Sequence, residues 1–217
     1  MRLQPCTVGP YQTNCYILSD DARDAWIVDP GGEGEAIASL IARMGVTPRA
    51  ILLTHTHWDH VSGIPSLMRR WPDLEVLSSE ADSPFLGPDA YDRFCKVMSD
   101  KAFLALYGDE LKKLPKATRI LKDGDLVEGP GLLVISTPGH TPGGLAFYQK
   151  EEKWLFSGDT LFAGSIGRTD FAGGSYADEL MSCKKLVALL PGETAVYPGH
   201  GPETTISREL ATNPYLA

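Results

Sequence analysis

Cysteine is scarce and unpatterned in this chain. Cys6, Cys15, Cys95 and Cys183 are the only four in 217 residues, and no two form a C-x-x-C pair. That density excludes a disulfide framework, and free thiols in a reducing cytoplasm are expected. No apolar run approaches the roughly 18 residues that a membrane-spanning helix needs. The opening MRLQPCTVGPYQTN has no apolar stretch of the kind an export leader carries, which again makes a cytoplasmic location the expectation. Basic stripes are missing too. The formal net charge is −8, and Lys112-Lys113 and Lys184-Lys185 are isolated pairs. An acidic body without a basic stripe repels phosphate backbones, so neither nucleic acid nor membrane is an expected partner. There is also no G-x-S-x-G, hence no advertised serine nucleophile.

What is present is an ordinary globular composition, 43% hydrophobic and 22% charged. The length suits one domain spanning 1–217 and can bury a substantial core. Short apolar runs bounded by Gly, Pro, Asp or Ser predict strands at Leu3–Val8, Cys15–Leu18, Ala25–Val28, Ala50–Leu53, Glu75–Leu77, Leu132–Ser136, Leu145–Tyr148, Trp154–Ser157 and Ala195–Tyr197. Helical spacing predicts helices at Glu33–Met44, Ile64–Arg70, Lys101–Lys113 and Tyr176–Leu190, with a further one at Glu203–Thr212. Ala81–Leu114 is the least regular part and is expected to form loops and one or two helices over one face. Strands outnumber helices that intersperse them, which points to sheet packed on sheet with helices outside, a four-layer α/β sandwich.

The five histidines carry the functional signal. Three fall in Thr54-His55-Thr56-His57-Trp58-Asp59-His60, directly after the run Ala50–Leu53. His140 follows Leu132–Ile135 within Thr137-Pro138-Gly139-His140, and His200 follows Ala195–Tyr197 within Pro198-Gly199-His200-Gly201. Asp159 closes Trp154–Phe156 in the same way, within Ser157-Gly158-Asp159. Four times a short strand ends in a Gly- or Thr-bearing turn that presents a ligand-type side chain. One such histidine is usually a surface hydrogen-bonding residue. Three within six positions, with every other histidine in a matching context, point to metal. Imidazole and carboxylate in this number suit two divalent ions, with zinc the first expectation and iron or manganese compatible.

The pattern T-H-x-H-x-D-H followed by separated His, Asp and His resembles the metallo-β-lactamase superfamily over essentially the whole chain. The resemblance implies an αβ/βα sandwich with the site at one sheet edge. It implies that His55, His57 and His140 hold one metal, that Asp59, His60 and His200 hold the other, and that Asp159 bridges them. Asp29, in Val28-Asp29-Pro30-Gly31, matches the early Asp motif and would orient a ligand; the alternative is a turn-forming Asp. The implied chemistry is attack of a metal-activated water on a carbonyl, with Asp59 and Asp159 the catalytic carboxylates.

Within the superfamily, Asp159-Thr160-Leu161-Phe162, Gly164-Ser165-Ile166-Gly167-Arg168-Thr169-Asp170-Phe171 and Tyr197-Pro198-Gly199-His200-Gly201-Pro202 resemble the short bacterial form of type II glyoxalase. So do Thr204-Thr205-Ile206, Glu209 and Asn213-Pro214. That branch implies hydrolysis of glutathione thioesters such as S-lactoylglutathione. A monomer or homodimer is expected. Arg168 would meet a substrate carboxylate; the alternative is an ion pair with Asp170. Tyr91, Phe94, Phe103 and Tyr107 are either further substrate contacts or core. The chain departs from the longer members of the branch in having Pro202-Glu203 where an aromatic would stand. The main rival is a mononuclear iron persulfide dioxygenase, which shares the G-R-T-D-F run but reads P-A-H-D-Y around the last histidine. A lactonase poses the same carbonyl chemistry, and a non-catalytic metal-binding module would leave turnover indifferent to His55 or Asp159.

Overall fold

Alternation along the strands decides the layering. In β2 (Thr13–Ser19), Cys15 and Ile17 join one hydrophobic core while Tyr16 and Leu18 join another. In β4 (Thr47–Leu52) and just past it, Ile51 and Leu53 go to the first core, Ala50 and Leu52 to the second. A strand with apolar residues on both faces must be covered on both, so its sheet lies inside the molecule. The computed structural model, which describes residues 1–97 and 100–216, meets the four-layer expectation.

The first sheet has the order β1 (Arg2–Val8), β2, β3 (Asp24–Val28), β4, β5 (Glu75–Ser79) and β6 (Arg119–Leu121). The second runs β14 (Thr204–Thr205), β13 (Ala195–Pro198), β10 (Trp154–Gly158), β9 (Leu145–Gln149), β8 (Leu132–Ser136) and β7 (Leu126–Val127). Their facing sides form the central core, where Leu18, Trp26, Val28 and Leu52 meet Val134, Leu145, Phe147 and Phe156. On the far side of the first sheet lie α1 (Gly34–Met44), α3 (Ile64–Arg70), α4 (Ala90–Val97) and α5 (Lys101–Leu111), contributing Ile37, Ile41, Leu67, Phe94 and Phe103 to an outer core. On the far side of the second lie α6 (Tyr176–Leu189) and α7 (Ile206–Thr212), which bury Cys183, Leu186 and Ile206. No helix among the described residues is long and apolar enough to cross a membrane.

The differences from the sequence reading are local. Glu203–Thr212 is not one helix: Thr204 and Thr205 first pair with Val196 and Ala195, and the helix starts at Ile206, capped by the Thr205 hydroxyl. β6, β7 and the ribbon β11 (Leu161–Phe162) with β12 (Ser165–Ile166) have two or three residues each, too short for a periodicity to show. The segment Ala81–Leu114 does form helices over one face, α4 and α5, with residues 98 and 99 of it outside the described residues. Its aromatics Phe94 and Phe103 are core, 1% and 2% exposed.

Within each sheet the strands that precede the histidine and aspartate turns run the same way. β3 and β4 are parallel, β10 and β13 are parallel, and β8 is antiparallel to β9, which is antiparallel to β10. Their C-terminal ends therefore share one edge. The two sheets are stitched there by Leu145 N donating to Thr54 O at 2.7 Å and Asn14 N to Gly199 O at 2.7 Å. Phe147 is fully buried between the sheets behind that edge. Phe147→Ala is expected to lower stability by about 3–5 kcal/mol, read as a shift of the urea unfolding midpoint.

Candidate metal centre

Each of the seven ligand-type residues sits just beyond a strand end. His55 and His57 lie in the extended loop after β4, and Asp59 and His60 in the short helix α2 (Trp58–Val61) that follows. His140 comes after β8, Asp159 after β10 and His200 after β13. The turns demand small residues. Gly158 has φ +53°, and a Cβ on Gly199 would collide with Asp159 Oδ1 and press on His60.

All seven come together. Ligand atoms of His55, His57 and His140 lie within 4.8 Å of one another, as do those of Asp59, His60 and His200. Asp159 stands between the two groups. Its Oδ2 is 3.5 Å from His140 Nε2 and 3.5 Å from His200 Nε2, and its Oδ1 is 3.5 Å from His60 Nε2.

The outer ring nitrogens decide which way the imidazoles face. Thr54 Oγ1 gives its proton to Asp29 Oδ2 at 2.5 Å, so it accepts from His55 Nδ1 at 3.1 Å. His60 Nδ1 donates to Asp29 Oδ2 at 3.0 Å, His140 Nδ1 to the Arg168 carbonyl at 2.7 Å, and His200 Nδ1 to the Tyr11 carbonyl at 3.0 Å. Carbonyl and carboxylate oxygens only accept, so these rings carry hydrogen on Nδ1 and turn Nε2 toward the centre. His57 is oriented the other way, its Nδ1 lying 2.8 Å from His140 Nε2. His55 Nε2 and Asp159 Oδ1 are buried with no hydrogen-bond partner at all. Buried acceptors left unpaired are costly, and a cation removes that cost. The donor set therefore fits divalent metal.

Asp29 could be counted with His55 and His60 as a third ligand group. Its oxygens are already taken, Oδ1 by Thr54 N at 2.8 Å and Oδ2 by Thr54 Oγ1 and His60 Nδ1. It orients ligands, and its left-handed φ of +49° aims it there.

Charge follows the geometry. Burial, reinforced by neighbouring imidazoles, pulls His55 well below the usual histidine range and His57 down to about 3, so both are neutral. Burial opposes charge on His200 as well, but Asp159 and Asp59 outweigh it and raise His200 to about 10; His60 is raised by the same carboxylates and Asp29. The carboxyls resist the upward push of burial because histidines face them, and both stay below their ordinary value. Two carboxylates thus draw positive charge into this pocket.

Sequence reasoning missed two buried acids that brace the ligand loops. Glu179 on α6 is fully buried and accepts from His140 N at 2.8 Å and Gly167 N at 3.0 Å, tying the His140 turn to the segment whose Arg168 carbonyl orients that ring. Its only signal was spacing, since 179, 183 and 186 share one helical face. Asp82 accepts from Thr56 N, Thr141 Oγ1 and Gly143 N, joining the His57 loop to the His140 loop. Arg168 forms the ion pair with Asp170, bidentate at 2.7 Å, and lies 4.1 Å over the Phe171 ring. Both partners are largely exposed, at 60% and 67%, so the pair contributes little and can exchange. The centre opens into a cleft of about 800 Å³ lined by Tyr11, Trp58, Phe162, Ile166, Arg168 and Phe171 among others. Tyr91, Phe103 and Tyr107 do not line it.

Residues 8–200 match the model of the metallo-beta-lactamase superfamily. The chain belongs to that superfamily. Superfamily membership makes it a metal-dependent hydrolase by class, and relatives cover the whole of it. It is 39% identical to "Probable metallo-hydrolase YqgX" of Bacillus subtilis, over 100% of this chain and 98% of that protein. It is 34% identical to "Hydroxyacylglutathione hydrolase GloC" of Haemophilus influenzae, again over 100% and 98%. Among solved structures, the BLEG-1 B3 metallo-beta-lactamase superposes with a TM-score of 0.86 at 35% identity, covering 99% of both chains. TTHA1623 in a di-iron-bound form superposes at 0.80 and 38% identity, covering 98% of this chain and all of that one.

In the metal-free protein His200 holds a proton that a metal must displace. Zinc binding at pH 7.5 is therefore expected to release at least about one proton per chain, from His200. Calorimetry in two buffers of different ionisation enthalpy measures this, and the His200 share should vanish above about pH 10.

Proposed function

We propose that the protein is a dinuclear metallo-hydrolase that cleaves thioesters of the glutathione type, S-lactoylglutathione being the reference substrate. The observation that carries the metal part is the fixed outward tautomer of His55, His60, His140 and His200 around the unpaired Asp159 Oδ1. His55, His57 and His140 would hold one ion and Asp59, His60 and His200 the other, with Asp159 shared. The di-iron form of TTHA1623 supports two ions, and the hydroxyacylglutathione hydrolase relative supports the substrate class. Zinc is our first choice for the ions.

When bound, such a pair supplies an activated water and an electrophile for the carbonyl oxygen. The chain does the rest. Asp59 faces the cleft, its Oδ2 3.4 Å from His200 Nε2, and is held ionised to accept the proton of the attacking water. Trp58, Ile166 and Phe171 limit water around the reacting centre. Arg168, once released from Asp170, would take a carboxylate of the thiol, a role supported by its position on the cleft wall.

The test combines metal content with turnover. Two ions per chain and hydrolysis of S-lactoylglutathione are expected, with loss on the order of 1000-fold or more in kcat/KM for His55→Ala and Asp159→Asn. One iron per chain with oxygen uptake on glutathione persulfide would establish the dioxygenase instead. Turnover of a lactone or β-lactam without thioester turnover would shift the substrate class.

A further inference from the structure

A second, smaller cavity of about 260 Å³ adjoins the metal cleft. The two have His57, Trp58, Val97 and Phe171 in common, so the small one opens at the His57 side of the metal centre. Its further walls include Phe85, Phe94 and Pro142. These rings are braced against one another. Phe94 lies 5.4 Å from Phe85 and 6.4 Å from Trp58, and Phe171 lies 5.2 Å from His57. Phe94 is 1% exposed and cannot swing away.

The chemistry of the two spaces differs. Among the described residues no Lys or Arg lines the side cavity, and the one carboxylate among them, Asp82, is occupied by Thr56, Thr141 and Gly143. An anionic group entering it would lose hydration and find no partner, while an apolar group would be well covered. The main cleft is lined by His57, Asp59, His140, Asp159 and His200 together with Arg168 and Asp170. A thiol carrying carboxylates belongs in the main cleft beside Arg168. A thioester carbonyl held between the two spaces would direct its acyl side into the side cavity.

We propose that the side cavity is the acyl-binding pocket and that it takes an apolar acyl chain or aryl group. This rests on the thioester reading above and narrows it, from thioesters in general to those of apolar acids. The acyl group then fixes the direction in which substrate lies across the metals, and short hydroxyacyl groups leave the cavity unfilled.

The experiment uses the zinc-loaded full chain and S-lactoyl-, S-acetyl-, S-butanoyl- and S-hexanoylglutathione. From acetyl to hexanoyl, kcat/KM is expected to rise about fourfold per methylene. In parallel, calorimetry compares binding of the free acids hexanoate and lactate, with hexanoate expected at least about tenfold tighter. Ala172→Trp, at the exposed rim of the cavity, fills it and is expected to cut the hexanoate-to-lactate affinity ratio at least about tenfold. Equal affinity for the two acids, or a ratio unmoved by Ala172→Trp, overturns the cavity's role even if thioesters are hydrolysed. Failure to hydrolyse any thioester overturns the thioester reading, and the calorimetric ratio still decides the cavity.

Discussion

The hydrogen bond on the outer nitrogen of each histidine is the constraint on which the rest of this structure depends. An imidazole can rotate and exchange tautomers, and five of them close together would ordinarily repel, flip or reach for water. Here Thr54, Asp29 and the carbonyls of Arg168 and Tyr11 accept from four Nδ1 atoms and leave four Nε2 atoms facing inward. Two of those acceptors are backbone atoms, whose positions are set by the fold itself. The β1–β2 turn therefore matters as much as the histidine loop: Tyr11 O holds His200, and Asn14 holds the carbonyls of Pro198 and Gly201 on either side of it.

This arrangement has an electrostatic cost that the scaffold must carry. Asp29, Asp82 and Glu179 are buried acids packed around the ligand loops, and every one of their oxygens accepts from backbone or side-chain donors. Burial pushes Glu179 up to about 8 and also raises Asp82, which shows how much of their hydration has been surrendered. Asp59 and Asp159 behave oppositely because histidines face them. The pocket is thus preorganised for positive charge at its centre, while the acids outside it serve to hold backbone. Metal ions and fold are linked in this design: a cation satisfies His55 Nε2 and Asp159 Oδ1, which the protein alone leaves unpaired.

How much of this can be read in advance depends on the range of the interaction. The ligand-type residues are legible because each closes an apolar run, so a one-dimensional pattern already carries their shared edge. α3 and β8 begin and end where their periodicity does. The layering is legible because β2 and β4 are apolar on both faces. Apart from Asp29, the bracing beyond the ligands is not legible. A carbonyl that holds a histidine, such as that of Arg168 or Tyr11, leaves no mark on residue type. Glu179 looks like any acid in the first turn of a helix until its face is known. β14 escapes notice because two residues have no period, and the Arg168 side chain is bound to Asp170 with the cleft beside it.

The central claim is that seven side chains at one sheet edge form two adjacent metal sites sharing Asp159. Anomalous scattering from crystals of the zinc-loaded protein, collected on either side of the zinc absorption edge, tests it most directly. Two peaks about 3.5–4 Å apart are expected, one beside His55, His57 and His140, the other beside Asp59, His60 and His200, with Asp159 between them. A single peak, or peaks away from these residues, would contradict it.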